Sequence, residues 1–186
     1  MHIQQTDLAG VLIIKPKRFG DHRGFFTETY NRRVYAEIGV DMEFVQDNHS
    51  LSAKAGTVRG LHFQTPPHAQ SKLVRCGRGA IFDFAVDIRK GSPTYGQWAG
   101  YKLSAENGMQ LFIPTGFAHG FVTLEPDSEI IYKCSDYYTP EVEGALRWND
   151  PAIGIKWPLK GDAILSDKDA AAPNLADLDS QFVFEG

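Results

Sequence analysis

The amino-acid sequence predicts a mainly β fold, an antiparallel sandwich or barrel with short helices at its periphery and near the C-terminus. The first observation is that short apolar or alternating runs, many of them β-branched or aromatic, recur along the chain. The second is that Gly, Pro, Asn and Asp residues interrupt these runs at close intervals, as strand connections require. The third is size: 186 residues, 42% hydrophobic and 23% charged, suffice for a sizeable core, and we expect residues 1–186 to form one domain.

Ten runs carry the strand pattern. In chain order they are VLIIKP (11–16), RGFFTETY (23–30), EFVQDNHS (43–50), TVRGLHFQ (57–64), KLVRCG (72–77), AIFDFAVDI (80–88), QWAGYKL (97–103), MQLFIP (109–114), GFVTL (120–124) and EIIYKCSDYY (129–138). In AIFDFAVDI, the even-numbered apolar residues should face one side and the odd-numbered residues the other. Two short helices are expected, one over 31–39 between an Asn cap and Gly39, the other near 162–173 and closed by Pro173.

The charge balance limits the classes of partner. A formal net charge of -4 argues against general binding to nucleic acid or to a membrane surface. Basic residues nevertheless cluster with histidine over 59–75, which suits a local pocket for a small phosphate-bearing ligand. Arg23, Arg59 and Lys72 are candidate phosphate contacts, although each such residue alone is usually a surface charge.

Cysteine usage and the N-terminal segment indicate the compartment. Cys76 and Cys134 lie in strand-like runs, no CxxC pair exists, and we expect two buried reduced thiols. The first ten residues lack the basic and apolar regions of a signal peptide, and no apolar run is long enough to span a bilayer. We therefore expect a cytoplasmic protein.

The segment GMQLFIPTGFAHGF (108–121) resembles the second motif of the cupin superfamily, whose members are small β-barrels made of two sheets. Pro114 and Gly116 should turn the chain sharply. The strand that follows would then direct His119 into the mouth of the barrel.

The metal site of many cupins is not reproduced in the sequence. Metal-binding cupins add a His-x-His strand followed by a Glu, whereas the matching strand here has His62 but Gln64 in the second position, with Lys72 beyond it. A divalent metal needs three or four converging donors, and neighbouring cations repel it. The sequence therefore predicts a metal-free, cationic interior suited to an anionic ligand or intermediate.

His62 is the first candidate for chemistry. Arg59, His68, Lys72 and Arg75 lie near it in sequence, and nearby positive charge favours the neutral imidazole that a general base needs. From the residues alone, an equally good explanation is a core histidine bonded to a backbone carbonyl.

Carboxylates and phenols elsewhere in the chain could complete such a site. Asp167 or Asp169 could fix the tautomer of a histidine, or could simply cap a solvated helix start. Tyr132 could act as an acid opposite a base, although a buried tyrosine is more often a core residue. Tyr137 and Tyr138 could stack on a nucleobase, or could simply pack against the sheet.

Many segments, taken in order, resemble the dTDP-4-dehydrorhamnose 3,5-epimerase family, the cupin-like enzymes of dTDP-L-rhamnose synthesis. They are GDHRGFFTETYN, FVQDNHS, VRGLHFQ, KLVRC, FDFAVDIRKGSPTYGQW, LSAEN, IPTGFAHGFVTL, YKCSDYYTPEVEG, WNDPAIGIKWP and LSDKDAAAP. The resemblance runs over nearly the whole chain, and only the first few residues and the tail after Pro173 match less well.

The resemblance implies a role for each matching residue. His62 would be the base, Asp169 its partner in a dyad and Tyr132 the acid, with Lys72 beside the sugar carbonyl. Tyr138 would stack on the thymine. The other implied substrate contacts are Arg23, Glu28, Gln46, Asn48, Arg59, His119, Glu143 and Lys168.

The resemblance also implies the reaction: deprotonation and reprotonation of a dTDP-4-keto sugar at C3 and C5, next to the C4 ketone, without a metal or other cofactor. It implies a homodimer with strand exchange between subunits. Three alternatives stay open on the sequence: a single-position epimerase at C3 or C5, a sugar-nucleotide binding protein without catalysis, and a metal-dependent cupin oxygenase or isomerase.

Overall fold

The computed structural model describes residues 1–185. The strands are β1 (His2–Gln5), β2 (Leu12–Lys15), β3 (Arg18–Asp21), β4 (Gly24–Thr27), β5 (Gln46–Ser52), β6 (Val58–Gln64), β7 (Lys72–Arg78), β8 (Ala80–Asp87), β9 (Trp98–Ser104), β10 (Gln110–Ile113), β11 (Phe117–Thr123), β12 (Ser128–Cys134) and β13 (Glu143–Ala145). The α-helices are α1 (Arg32–Ala36) and α2 (Asp167–Ala170), and 3-10 turns lie at Pro140–Val142 and Leu175–Asp177. Within the described residues, no helix has the length and apolar character needed to cross a membrane.

Two antiparallel sheets form the body of the molecule, as the sequence predicts. The six-stranded sheet has the order β1-β2-β10-β7-β12-β5, and the five-stranded sheet has the order β13-β6-β11-β8-β9. Strands β3 and β4 pair only with each other and form a separate hairpin. All ten predicted runs contain a strand, whereas the short strands β1, β3 and β13 lie outside those runs.

The main hydrophobic core fills the space between the sheets. Val74 and Ile130 contribute to it from the six-stranded sheet, and Ala85 and Leu103 from the five-stranded sheet. A second cluster lies on the outer face of the five-stranded sheet, where the C-terminal segment from Leu146 to Phe182 covers it. Helix α1 covers the outer face of the six-stranded sheet. The five-stranded sheet is therefore covered on both faces, whereas the six-stranded sheet is covered on its outer face only where α1 packs.

The cover on both faces of the five-stranded sheet explains the residue pattern of strand β8. Its side chains alternate as predicted, with Phe84 and Val86 in the outer cluster and Ile81 and Ala85 in the core between the sheets. Because neither face meets water, Asp83 on the interior face is fully buried along with its apolar neighbours. A fully buried carboxylate needs polar partners, which makes this position unusual for a strand.

Both predicted helices are present but are shorter than the predicted segments, and Ser166, not Asp167 or Asp169, caps α2. Asn31 caps α1 by accepting a hydrogen bond from the Arg33 backbone N–H at 3.2 Å. Helix α2 is shorter than the predicted segment near 162–173, because Ile164 is extended and its carbonyl accepts from the Val58 N–H at 2.9 Å. The segment thus enters the sheet region before it turns into the helix.

The two cysteines and the cupin-like turn lie as predicted. Cys76 and Cys134 are buried and free. Strand β10 ends at Ile113, and Gly116, with a φ of +89°, completes the turn into β11. This turn sets His119 on β11, where it is buried beside the core.

Candidate active site

A histidine and a carboxylate from distant parts of the chain meet at one edge of the interior. The Nε2 atom of His62, on β6, lies 2.6 Å from Oδ1 of Asp169, on α2. The Ser166 hydroxyl accepts from the Asp169 backbone N–H at 3.1 Å and so begins the helix in a fixed position. Burial tends to raise the pKa of Asp169, but the hydrogen bond from His62 and the other donors around it lower that pKa below its usual value. Asp169 therefore stays ionised and holds the imidazole by its Nε2 edge.

Glycine at position 60 allows strand β6 to lie close to strand β11. A Cβ atom at Gly60 would lie 2.6 Å from Cα of Gly120 on β11, and the φ of Gly60 is +120°. Only glycine tolerates both the contact and the left-handed conformation. The Gly60 N–H also points toward Oδ2 of Asp169, at 3.5 Å. The close pairing of β6 and β11 places His119 directly opposite His62 in the register.

The facing wall of the site comes from the other sheet. Tyr132 lies on β12 and Lys72 on β7, both in the six-stranded sheet, whereas His62 lies on the five-stranded sheet. The three side chains line one cavity of about 400 Å³. Its full lining is Gln46, Asn48, His49, His62, Phe63, Gln64, Gln70, Lys72, Tyr132, Tyr138 and Glu143. A candidate base and a candidate acid thus face the same space from opposite sheets.

Burial shifts the pKa of both residues on the facing wall. Lys72 is partly accessible from the cavity but enclosed by protein elsewhere, and this burial lowers the pKa of its ammonium, while Cys134, Asp83 and Glu143 oppose the shift. Burial likewise raises the pKa of the Tyr132 phenol above its ordinary value. Tyr132 therefore keeps its proton at neutral pH, as a proton donor must.

A second histidine–carboxylate pair lies behind the cavity. Nε2 of His119 is 2.7 Å from Oδ1 of Asp83, and both side chains are buried. The other carboxylate oxygen of Asp83 has no hydrogen-bond partner among residues 1–185. Asp83 was not predicted as a site residue. The available signal was an acidic side chain on the interior face of a strand in which both faces carry apolar residues.

The rim of the cavity is built from β13, α2 and the segment after β12. The Tyr138 hydroxyl donates to Oε2 of Glu143 at 2.8 Å, and the Lys168 ammonium lies 2.5 Å from the same oxygen. Burial tends to raise the pKa of Glu143, but the bonds from Lys168 and Tyr138 lower it overall. The hydrogen bond to Glu143 in turn raises the pKa of Lys168, which therefore stays cationic.

The structure brings most of the predicted residues to this site. Those that line the cavity are Gln46, Asn48, His62, Lys72, Tyr132, Tyr138 and Glu143. Asp169 and Lys168 are bonded to lining residues, and His119 lies beside His62 in the register. Arg59, three residues before His62 on β6, donates to the Ser52 hydroxyl at 3.3 Å on β5.

Two predicted residues lie elsewhere. Arg23 is at the turn of the β3–β4 hairpin, where its side chain is 79% exposed and paired with Asp21 at 2.5 Å. Glu28 follows β4, and neither residue lines the cavity. Within one chain the structure does not bring Arg23 and Glu28 to the site.

Four lining residues were not predicted as site residues. They are His49, Phe63, Gln64 and Gln70. The sequence showed Gln64 near His62 and at the position of a cupin metal ligand, but did not predict it as a site residue. Among residues 1–185, no three His, Cys, Asp or Glu side chains converge closely enough to hold a metal ion.

The fold and the site together define a class: a cupin-like sandwich with an acid–base site, in which a histidine–carboxylate pair faces a phenol and an ammonium across the cavity. The family model described as dTDP-4-dehydrorhamnose 3,5-epimerase matches residues 5–177. The dTDP-4-dehydrorhamnose 3,5-epimerase of Salmonella typhimurium is 58% identical over 176 residues, which cover 94% of this chain and 96% of that relative.

Solved structures agree with the sequence relatives. A dTDP-6-deoxy-D-glucose-3,5-epimerase from Legionella pneumophila, in complex with dTDP-4-keto-L-rhamnose, has a TM-score of 0.92 at 49% identity and covers 96% of this chain and 94% of its own. A dTDP-4-dehydrorhamnose 3,5-epimerase from Bacillus anthracis with TDP and PPi bound has a TM-score of 0.90 at 49% identity, with 93% and 98% covered. The chain belongs to the dTDP-4-dehydrorhamnose 3,5-epimerase family.

Proposed function

We propose that this protein epimerises dTDP-4-dehydro-6-deoxy-D-glucose at C3 and C5, giving dTDP-4-dehydro-L-rhamnose. The observation that carries the proposal is the placement of the His62–Asp169 pair and Tyr132 on facing sheets around one cavity. Inversion needs a base on one side and an acid on the other, because the proton leaves one face of the carbon and returns to the opposite face. Family membership supports the same substrate class.

The chemistry follows from the orientation of each group. The C4 ketone acidifies the hydrogens on C3 and C5. With Nε2 of His62 donating to Asp169, Nδ1 holds the free lone pair and accepts the proton from carbon. The C–H electron pair moves into an enolate, and the Lys72 ammonium stabilises its oxygen.

Reprotonation completes the inversion. Tyr132 gives its proton to the opposite face of the carbon and becomes a phenolate. Exchange with solvent then reprotonates the phenolate and removes the proton from His62. The same pair of groups is thereby reset and can act at the second carbon.

The proposed binding site of the nucleotide is the rim of the cavity. Tyr138 lines the cavity and is 54% exposed, with its hydroxyl bonded to Glu143, which leaves the ring available to stack on thymine. The cationic Lys168 and the guanidinium of Arg59 supply positive charge for the diphosphate. Gln46, Asn48 and His119 complete the proposed substrate contacts around these groups.

We propose that two chains form a homodimer in which the β3–β4 hairpin packs on the second subunit. Phe19, Phe25 and Phe26 on this hairpin are 54%, 60% and 69% exposed, which is unusual for three neighbouring aromatic residues. A second chain would cover this surface. The same contact would carry Arg23 and Glu28 to the partner's cavity, since they do not reach their own.

Complementation tests the dimer. Arg23→Ala and His62→Ala each remove one component of the site, and mixed dimers made by co-expression contain one cavity in which both residues are intact. The mixture should regain about a quarter of wild-type activity, because half of randomly formed dimers are mixed and each has one complete cavity. No recovery in the mixture, or a monomer by analytical ultracentrifugation, would contradict the exchange.

The function is tested by incubating dTDP-4-dehydro-6-deoxy-D-glucose with the protein in deuterated water. Proton NMR should show deuterium at both C3 and C5 and the L-rhamno configuration in the product. Inversion at only one carbon would identify a single-position epimerase. Absence of exchange at both carbons, with dTDP still bound, would leave a binding protein without catalysis.

A pH profile tests the role of Lys72. Because burial lowers the pKa of Lys72, this residue loses its charge at a lower pH than a free lysine, and the rate should fall as pH rises through that value. Burial raises the pKa of the Tyr132 phenol, so this group loses its proton at a higher pH than a free tyrosine. In Lys72→Arg the alkaline limb of the exchange rate should move to higher pH, because guanidinium keeps its proton. The same alkaline limb in both proteins would remove Lys72 from the role of oxyanion stabiliser.

A further inference from the structure

We propose that Gln64 is a positioning residue for the nucleotide: its side-chain amide holds the backbone of residues 137–139 so that Tyr138 lies over the base site. The inference rests on the proposed function, because it assigns a structural cause to the proposed stacking of Tyr138. Gln64 ends β6, two residues after His62, and is 3% exposed.

The side-chain hydrogen bonds of Gln64 all go to backbone atoms, two of them in the segment after β12 that forms part of the cavity rim. Its Nε2 donates to the carbonyl of His68 at 2.6 Å and to the carbonyl of Tyr137 at 3.1 Å. Its Oε1 accepts from the Thr139 N–H at 2.9 Å. Both amide hydrogens are thus used, and two of the three bonds bracket Tyr138.

A second glutamine completes this support. Oε1 of Gln46, on β5, accepts from the Tyr138 N–H at 2.9 Å. Three successive backbone groups, the Tyr137 carbonyl and the N–H groups of Tyr138 and Thr139, are therefore bound by side chains from two different strands. The Tyr138 ring itself is exposed. The position of the Tyr138 ring is therefore set mainly by the hydrogen bonds to the backbone around it, and also by the bond from its hydroxyl to Glu143.

The chemistry of this position requires a neutral amide. Two of the three partners are carbonyl oxygens, which need donors, and the third is an N–H, which needs an acceptor. A glutamate would offer no donor and would place negative charge against two carbonyl oxygens. An apolar side chain would leave three backbone groups without their partner in a buried place. The position where metal-binding cupins carry a second histidine is used here to hold a loop.

The experiment compares binding of dTDP and of inorganic pyrophosphate by calorimetry in wild type, Gln64→Met, Tyr138→Ala and the double variant. Gln64→Met should weaken dTDP binding about tenfold, in the range found for loss of one base–aromatic stack, and leave pyrophosphate binding unchanged. The double variant should lose no more affinity than Tyr138→Ala alone, because both changes remove the same contact. In kinetics, Gln64→Met should raise KM and leave kcat within about twofold of wild type.

Thr123→Val is the matched control. Thr123 is also buried, and its hydroxyl donates to the Lys54 carbonyl at 2.8 Å and accepts from the Thr57 N–H at 3.0 Å, at the far end of β6 from the cavity. It should lower the melting temperature without changing dTDP affinity. If Gln64→Met does not fold, Gln64→Glu, which keeps the acceptor for Thr139, is measured in its place.

The outcomes separate the inference from the proposed function. If Tyr138→Ala weakens dTDP binding but neither Gln64 variant does, the inference alone is wrong. It is also wrong if dTDP and pyrophosphate affinities fall together, or if the losses of the two single variants add. If Tyr138→Ala binds dTDP as wild type does, the nucleotide site of the proposed function fails, and the inference fails with it.

Discussion

Replacing His62 with alanine should abolish epimerisation and also stop deuterium uptake from solvent at both C3 and C5. One imidazole serves both carbons in the proposed mechanism, so its loss removes both proton abstractions together. General-base catalysis contributes about 10²- to 10⁴-fold, and the exchange rate should fall by that factor at each carbon. The measurement is proton NMR of the substrate incubated in deuterated water.

The chain offers a close control for this variant. His68 also sits beside a carboxylate, with Nδ1 3.2 Å from Oδ2 of Asp136, but it does not line the cavity. His68→Ala should exchange deuterium at both carbons at nearly the wild-type rate. Exchange that survives at either carbon in His62→Ala would show that another group removes that proton.

Replacing Tyr132 with phenylalanine should separate exchange from inversion. His62 can still remove a proton, exchange it with solvent and return it to the same face, so deuterium should enter with retained configuration at a rate within about tenfold of wild type. The inverted product should fall by about 10²- to 10⁴-fold, because no acid remains on the facing wall. NMR of the recovered sugar reports both quantities in one sample.

Tyr101→Phe controls for the loss of a partly buried phenol. Tyr101, on β9, packs against the same core between the sheets as Tyr132, and burial raises the pKa of its phenol as well, but it does not line the cavity. It should invert both carbons normally. A Tyr132→Phe protein as active as wild type would remove Tyr132 from the mechanism.

The strands of this fold were predictable because alternation and turn residues are local signals. Alternation along EIIYKCSDYY puts Tyr132 on the same face as Ile130 and Cys134. The structure places Ile130 in the core between the sheets, with Tyr132 packed against it. Strand β8 shows the limit of such reasoning. Its alternation was visible, but the cover on its outer face comes from a segment beyond Leu146 that carries no signal of where it docks.

The site residues were predictable mainly from the family resemblance, because their contacts are not local in the sequence. His62 and Asp169 are 107 residues apart, and the pattern alone left Asp167 and Asp169 as equal candidates; only the family resemblance chose between them. Asp83 was missed because its partner His119 lies on another strand. Gln64 was missed for a further reason: its partners are backbone groups, which every residue has and no sequence marks.

The two walls of the cavity belong to different sheets, so the spacing of the sheets sets the width of the cavity. Packed sheets are spaced about 10 Å apart by the side chains between them. Since His62 projects from one sheet and Tyr132 from the other, the gap that a hexose ring must fill is fixed by the thickness of the apolar layer, including Ile130 and Ala85. Residues that never touch the sugar therefore act as the spacer that decides whether the two proton-handling groups can reach a single carbon.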